Sequence, residues 1–283
     1  MLDKLKQCVK ELLKTKTVGC VLGYEMGDNP QIARPVAITT PDEVERLVWN
    51  EYCIPILAKY VLKPEVRCYG KTAVLAKPCD IRALVGLIQE KQIARTDLYI
   101  IAVDCSIVAK GDWSRCISCT DKKPAISDEI ITAGDQSPVT GNRLDEIDQK
   151  IKELEAKPPK ERWAFWKKEF GQCIRCYACR QICTLCYCRV CIADKNQPQW
   201  IPPTPDFKGN FSWNIIRAYH LAGRCIDCGE CERACPVGIP LMLLNRKIQQ
   251  IIKQKFDYEP GFNQEVPPPL ATYHQDDQEN FIL

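Results

Sequence analysis

The sequence lacks the features that mark several large protein classes. It has only two histidines in 283 residues, His220 and His274, which argues against most Cys/His zinc modules and against acid–base catalysis by histidine. No apolar run approaches the roughly 18 residues of a membrane-spanning helix, and the N-terminus shows no secretory signal. The formal net charge is only +3, too balanced to favour nucleic-acid binding. We therefore expect a cytoplasmic protein with no transmembrane segment and no nucleic acid as partner.

Cysteine, by contrast, is abundant, with 19 residues. In a long chain with no secretory signal and few histidines, so many cysteines favour thiolate metal centres over disulfides. Hydrophobic residues make up 46% of the chain and charged residues 27%. Most of the chain should therefore be globular, with a sizeable core.

The first half shows alternating strand and helix patterns. Runs rich in β-branched residues, bounded by Gly and Pro, predict strands at 17–25, 33–40, 72–76 and 97–105. Residues 41–62 are predicted to be helical, and an amphipathic helix is expected directly after Pro78. A strand–helix–strand order predicts a largely parallel sheet, with its chemistry at the carboxyl ends of the strands.

Two groups of cysteines in the second half share one spacing, C-x2-C-x2-C-x3-C. Bacterial two-cluster ferredoxins use this spacing, with three thiolates of a group on one 4Fe–4S cluster and the fourth on the neighbouring cluster. Zinc ribbons instead use pairs of cysteines. We therefore predict two 4Fe–4S clusters. The first ligand set is Cys173, Cys176, Cys179 and Cys235, and the second ligand set is Cys225, Cys228, Cys231 and Cys183.

Four further cysteines in the first half form a less regular set. Cys79 and Cys105 each follow a predicted strand, and Cys116-x2-Cys119 is a local pair. The segments "AKPCDIRAL" (76–84), "LYIIAVDCSI" (98–107) and "CISCTDKKPAISDEIITAGD" (116–135) resemble elements of the coenzyme F-420 hydrogenase/dehydrogenase beta-subunit family. This resemblance covers about residues 15–140, although Asp80 replaces the usual Gln.

The resemblance implies that these four cysteines hold a third 4Fe–4S cluster beside a flavin, which exchanges electrons with a deazaflavin. The residues alone leave two alternatives open: Cys79 and Cys105 are buried packing thiols, and Cys116 and Cys119 form a zinc or redox pair. We call Cys79, Cys105, Cys116 and Cys119 the third ligand set.

The sequence says less about a flavin. No G-x-G-x-x-G follows a predicted strand, and the family's larger C-terminal portion is not evident. Lys71, Lys77 and Arg82 are candidates for contacts to its phosphates, and a surface role is the alternative for each.

Three cysteines remain close to the first group, in Cys186-x-Cys188-x2-Cys191. They could hold a fourth metal centre, iron–sulfur or zinc, form a redox-active dithiol, or remain as unbound reduced thiols. Four other cysteines lie in apolar surroundings and are predicted to serve packing. They are Cys8, Cys20, Cys53 and Cys68.

These patterns predict four segments. Residues 1–144 form an α/β domain with the third ligand set, and residues 145–170 form a charged helical linker broken at Pro158-Pro159. Residues 171–256 form an α-rich, two-cluster ferredoxin-like domain. Residues 257–283 form an extended C-terminal tail, ordered against a partner.

The cysteine sets favour an iron–sulfur electron-transfer subunit of an anaerobic multi-subunit oxidoreductase. The segment "GRCIDCGECERACPVGIPLMLL" (223–244) is similar to cluster segments of heterodisulfide-reductase-type and hydrogenase-type electron subunits. Such a chain would partner other oxidoreductase subunits or a ferredoxin. The alternatives are a flavin-dependent subunit that reduces a deazaflavin, a nicotinamide or another small acceptor, and a zinc-based interaction module.

Overall fold

The computed structural model describes residues 1–108, 125–132, 144–271 and 275. Its strands are β1 (Cys20–Met26), β2 (Ala33–Ile38), β3 (Thr72–Ala76), β4 (Leu98–Val103) and β5 (Glu129–Ile131). Its α-helices are α1 (Leu2–Lys14), α2 (Pro64–Arg67), α3 (Pro78–Gln89), α4 (Leu144–Ala156), α5 (Pro159–Gly171), α6 (Ala178–Ile182), α7 (Phe207–His220), α8 (Glu230–Arg233) and α9 (Leu241–Phe256). Short 3-10 helices cover Pro41–Arg46, Leu57–Leu62, Arg95–Asp97, Ile192–Asp194 and Pro269–Ala271.

The strands of the first half form one mixed sheet. In the described residues its order is β2-β1-β3-β4-β5; β1 and β2 are antiparallel and the other neighbouring pairs are parallel. Every residue of β3 is buried, and β4 is buried at all but one position, as expected for parallel strands covered on both faces. The largely parallel sheet is thus confirmed.

The helices of the first half bury residues at helical spacing. On α1 these are Leu5, Val9, Leu12 and Leu13, so the N-terminal helix is amphipathic. Every residue of α3 from Asp80 to Leu87 is buried, and Pro78 occupies its first position, where the missing N–H costs nothing.

The predicted helix at 41–62 is wrong, because this stretch holds only two short 3-10 helices. Pro55 disfavours helical backbone in the residue before it. Beyond it, the backbone N–H groups of Leu57 and Ala58 donate to the Asp80 carboxylate at 2.5 and 3.1 Å. Tertiary hydrogen bonds therefore occupy groups that an α-helix would need.

The linker helices contribute to the core of the second half. Phe170, near the end of α5, is fully buried, and Trp166 stacks on it with ring centroids 5.1 Å apart. Phe170 packs in one apolar cluster with Cys231, Ile239 and Met242. Among the helices of the described residues, none is long and apolar enough to span a membrane.

The two halves pack directly on each other along α3. Leu185 contacts α3 at Gly86, where an added Cβ would lie 3.1 Å from a Leu185 methyl group. At the end of α3, the Glu90 carboxylate accepts hydrogen bonds from Arg224 at 2.5 Å and from the Tyr187 hydroxyl at 2.8 Å. The cysteine-rich half is therefore anchored to the sheet domain through this helix.

Part of the predicted tail also lies on α3. The Arg82 guanidinium donates to the Pro260 carbonyl at 3.0 and 3.1 Å and lies 4.3 Å from the Phe262 ring centroid. The Gln89 amide donates to the Asn263 carbonyl at 2.8 Å. These residues contact the chain itself, and most of the tail beyond 271 lies outside the described residues.

Candidate iron–sulfur centres

The two ferredoxin-type cysteine loops repeat the same backbone conformation. In the first loop Arg175 and Tyr177 have φ of 57° and 58°, and in the second Asp227 and Gly229, at the equivalent positions, have 58° and 74°. Positive φ is uncommon outside glycine, and it turns the chain tightly. Because a short helix follows each loop, both groups have the local geometry of one repeated cysteine-binding turn.

The second ligand set comes together at one buried cavity. Cys183 lines this cavity with Cys225, Cys228 and Cys231, and so reaches across from the first cysteine group to the second. Arg217 of α7 completes one side of the wall. The structure therefore places all four residues of this set around a single space.

Burial governs the chemistry of this cavity. Burial raises the pKa of Cys225 to about 12, with help from Asp227, and it raises the pKa of Cys231 to about 12. Buried thiols become thiolates readily only when positive charge compensates them, and the irons of a bound cluster would supply that charge. The Asn245 amide also donates to the Cys231 Sγ at 3.4 Å, a contact of the kind that tunes cluster sulfurs.

The first ligand set lies nearer the surface. Burial raises the pKa of Cys179, Arg217 opposes the effect, and the neighbouring Cys173 and Cys235 raise it further, so these three thiols lie near one another. The fourth, Cys176, is exposed.

Backbone contacts hold this first set in place. The Asn210 amide donates to the Cys173 carbonyl at 2.7 Å, and the Ile239 N–H donates to the Cys235 Sγ at 3.4 Å.

Arg217 is a functional candidate that sequence reasoning missed. Its side chain is buried, and its Nε has no hydrogen-bond partner within the described residues. An uncompensated buried cation is costly, so the site suits an anionic group such as a cluster bound by four thiolates. The sequence signal that could have identified Arg217 is its helical spacing from Asn210 and Asn214. These three polar residues form a stripe on α7 that is buried rather than solvated.

Two members of the third ligand set lie at the same edge of the sheet. Ala76 and Ala102 are register partners on β3 and β4. Cys79 and Cys105 each lie three residues beyond this pair, and both are half-buried. Cys116 and Cys119 lie outside the described residues.

The three surplus cysteines have different surroundings. The Cys186 thiol hydrogen-bonds to Cys183 and lowers the pKa of Cys183 below its usual range. Cys191 instead faces Arg180, and Cys188 is exposed. Within the described residues, no three His, Cys, Asp or Glu side chains lie close enough to hold a single metal ion. A 4Fe–4S cluster differs from such an ion because each thiolate binds a different iron.

Two of the three candidate phosphate contacts, Lys77 and Arg82, are engaged within the chain itself. Lys77 is 2% exposed and forms an ion pair with Asp80 at 3.1 Å. Its Nζ also donates to the Tyr24 hydroxyl and to the Pro55 carbonyl. A surface role for Lys77 is therefore wrong, and Asp80, where the family pattern has Gln, anchors this ion pair. Lys71 is exposed.

Three of the four cysteines predicted to serve packing do so. Cys20 and Cys53 are fully buried, and Cys8 is half-buried with its Sγ 3.0 Å from the Glu129 carboxylate. Cys68 is exposed, so the packing role predicted for it is wrong.

Comparisons with known proteins agree with this site. Residues 218–240 match the family model of the 4Fe–4S binding domain, which covers the second cysteine group. The chain is 25% identical to an F420-dependent formate dehydrogenase subunit beta of Methanocaldococcus jannaschii, over 92% of this chain and 91% of the relative. It is also 25% identical to an F420-dependent formate dehydrogenase 1 subunit beta of Methanococcus maripaludis, over 93% and 91%.

These alignments run over 358 and 361 residues, whereas the chain has 283. The relatives therefore carry segments without a counterpart here. The resemblance predicted from motifs at about 15–140 is confirmed and extends into the cysteine-rich half. The chain carries a 4Fe–4S binding segment and is similar, over nearly its whole length, to beta subunits of F420-dependent formate dehydrogenases.

Proposed function

We propose that this chain is an iron–sulfur electron-transfer subunit of a multi-subunit oxidoreductase, with three 4Fe–4S clusters. The observation that carries the proposal is the gathering of Cys183, Cys225, Cys228 and Cys231 around one buried cavity. A 4Fe–4S cluster bound there supplies one-electron transfer. The residues around this cavity would bind the cluster and exclude water from it.

The arrangement of the three ligand sets supports a relay between two partners. The first set includes the exposed Cys176, the second lines a buried cavity, and Cys79 and Cys105 of the third set lie at the sheet edge, with Cys79 in the first turn of α3. One partner would meet the surface at Cys176, and the other electron partner would meet the sheet edge.

The names of the relatives suggest these partners. We propose that one partner is a catalytic subunit of formate dehydrogenase type, and that a deazaflavin-linked step lies at the other end. The separate contacts of Cys186, Cys188 and Cys191 support no fourth centre, so the proposal stops at three clusters.

A second candidate is a flavin-bearing subunit that itself reduces a deazaflavin, because both relatives are described as F420-dependent. Against it, Lys77 and Arg82 are engaged within the chain. Flavin content separates the two: a chain that retains stoichiometric flavin and reduces a soluble acceptor alone supports the second candidate.

Anaerobic purification with iron, sulfide, zinc and flavin counts tests the proposal. Three clusters require about twelve irons per chain, and about eight would remove the cluster at the sheet edge. Zinc with little iron would overturn the proposal and favour an interaction module.

A matched pair of cysteine variants tests the second ligand set. We expect Cys228→Ala to lose about four irons, because one ligand of a four-iron cluster is missing. Cys53→Ala should retain all iron, because Cys53 is fully buried in the apolar core of the sheet domain. Full iron in Cys228→Ala would show that this residue is not a ligand.

A further inference from the structure

Arg217 lies between the first and second ligand sets. Its side chain lines the cavity of the second set, beside Cys183 and Cys231. Its Nη2 donates to the backbone carbonyl of Cys179, a member of the first set, at 3.0 Å. The residue is only 4% exposed. One buried guanidinium group therefore adjoins both sites.

Arg217 has no carboxylate partner within the described part of the chain, and its Nε is without a hydrogen-bond partner there. Arg246, a buried arginine in the same half, shows the usual solution, because it forms an ion pair with Asp227 at 2.5 Å. A buried charge without a counter-charge is strongly unfavourable. The groups that face Arg217 are instead thiols of both ligand sets and of Cys186.

We infer that Arg217 is the shared counter-charge of the two cluster sites. Its positive charge favours the binding of an anionic cluster at each site and raises the reduction potential of each cluster. This inference rests on the proposed function. Adding one electron to a bound cluster adds one negative charge, and a buried cation nearby stabilises the reduced form. The effect should be larger at the second set, since the guanidinium lines its cavity and meets the first set through a backbone carbonyl.

Three variants of the full chain test this role. Arg217→Met removes the charge and keeps an unbranched side chain, and Arg217→Lys keeps the charge. Arg34→Gln is the control, because Arg34 lies on β2 of the sheet domain, where it pairs with Glu25 at 2.9 Å. Each chain is purified anaerobically, its iron is counted, and its midpoint potentials are measured by redox titration followed by electron paramagnetic resonance.

We expect Arg217→Met to lower both potentials, with the equilibrium constant for reduction of the second site falling about tenfold, or about 59 mV for one electron. The potentials of Arg217→Lys and Arg34→Gln should stay near those of the parent chain. Loss of iron in Arg217→Met, with iron retained in Arg217→Lys, also supports the inference.

Unchanged iron and potentials in Arg217→Met would overturn the role of Arg217 and leave the proposed function intact. Loss of iron in both Arg217 variants would overturn it too, because shape rather than charge would then be required. A parent chain that binds zinc instead of iron would refute the proposed function itself.

Discussion

The two halves of the chain differ in how they treat buried polar groups. In the sheet domain, the buried Lys77 and Asp80 neutralise each other and bond to the surrounding backbone. Within the described residues, every buried side-chain nitrogen or oxygen without a partner belongs to the cysteine-rich half. These atoms lie on Arg175, Asn210, Arg217, Arg246 and Gln249.

This difference indicates which half is complete without a bound group. Native proteins leave few buried polar atoms unpaired, so their concentration in the cysteine-rich half marks a region built to enclose something else. The apolar clusters of that half are also small, and the larger of them includes Cys231 itself. Metal binding commonly supplies the folding free energy of such regions.

Iron removal should therefore produce the largest and most uneven effect. When the full chain is stripped of iron under anaerobic conditions, we expect residues 171–256 to lose most of their protection from amide hydrogen exchange. Strands β1, β3 and β4 should stay protected, because they are largely buried and none of the three contains a predicted ligand. Mass-spectrometric exchange before and after chelation measures both regions in one sample.

Either of two hydrogen-exchange results would contradict this difference between the halves. Equal loss of protection in both halves would show that the contacts across α3 make the chain one cooperative unit. Full protection of the cysteine-rich half without iron would show that its unpaired polar atoms are satisfied by other means.

A substitution in the sheet domain should instead change the free energy of unfolding more than the iron content. Lys77→Met leaves the Asp80 carboxylate buried without its cation, which typically costs about 3–5 kcal/mol of unfolding free energy. The irons of the first and second ligand sets should be retained, because Lys77 and Asp80 flank Cys79 of the third set rather than any cysteine of these two sets. Urea unfolding and an iron count of the same preparation test both expectations.

The matched control is Arg34→Met, which removes an ion pair to Glu25 whose arginine is 58% exposed. Such exposed pairs contribute about 0–1 kcal/mol. If Lys77→Met cost no more than Arg34→Met, the buried pair would not be a determinant of stability.

Local signals account for the parts of the fold that the sequence predicts well. The apolar run Thr72–Ala76 is a strand with the predicted bounds, and Pro78 begins the helix that follows. The cysteine spacing likewise predicted that Cys183 joins the second group. These features depend on periodicity and spacing, which a single sequence displays.

Features that depend on distant partners were missed. The hydrogen bonds of Leu57 and Ala58 to Asp80 replace a predicted helix, and no local pattern reveals them. Arg217 looks like one polar residue on a surface helix until α7 is placed against the cysteine loops. Lys77, a candidate phosphate contact, becomes a structural cation for the same reason.

The smallest expected effect concerns the thiols themselves. Packing protects Cys53, whose pKa is raised to about 11 by burial, so little thiolate forms at pH 8. Cys68 and Cys188 are exposed and belong to none of the three ligand sets, so both should be alkylated first by iodoacetamide in the iron-loaded chain. After iron removal, Cys225 and Cys228 should become reactive while Cys53 stays protected, as peptide mass spectrometry would show. Two results would contradict this expectation: Cys53 reacting as fast as Cys68 before chelation, or Cys53 reacting together with Cys225 after chelation. Either would show that packing does not protect one half independently of the metal that protects the other.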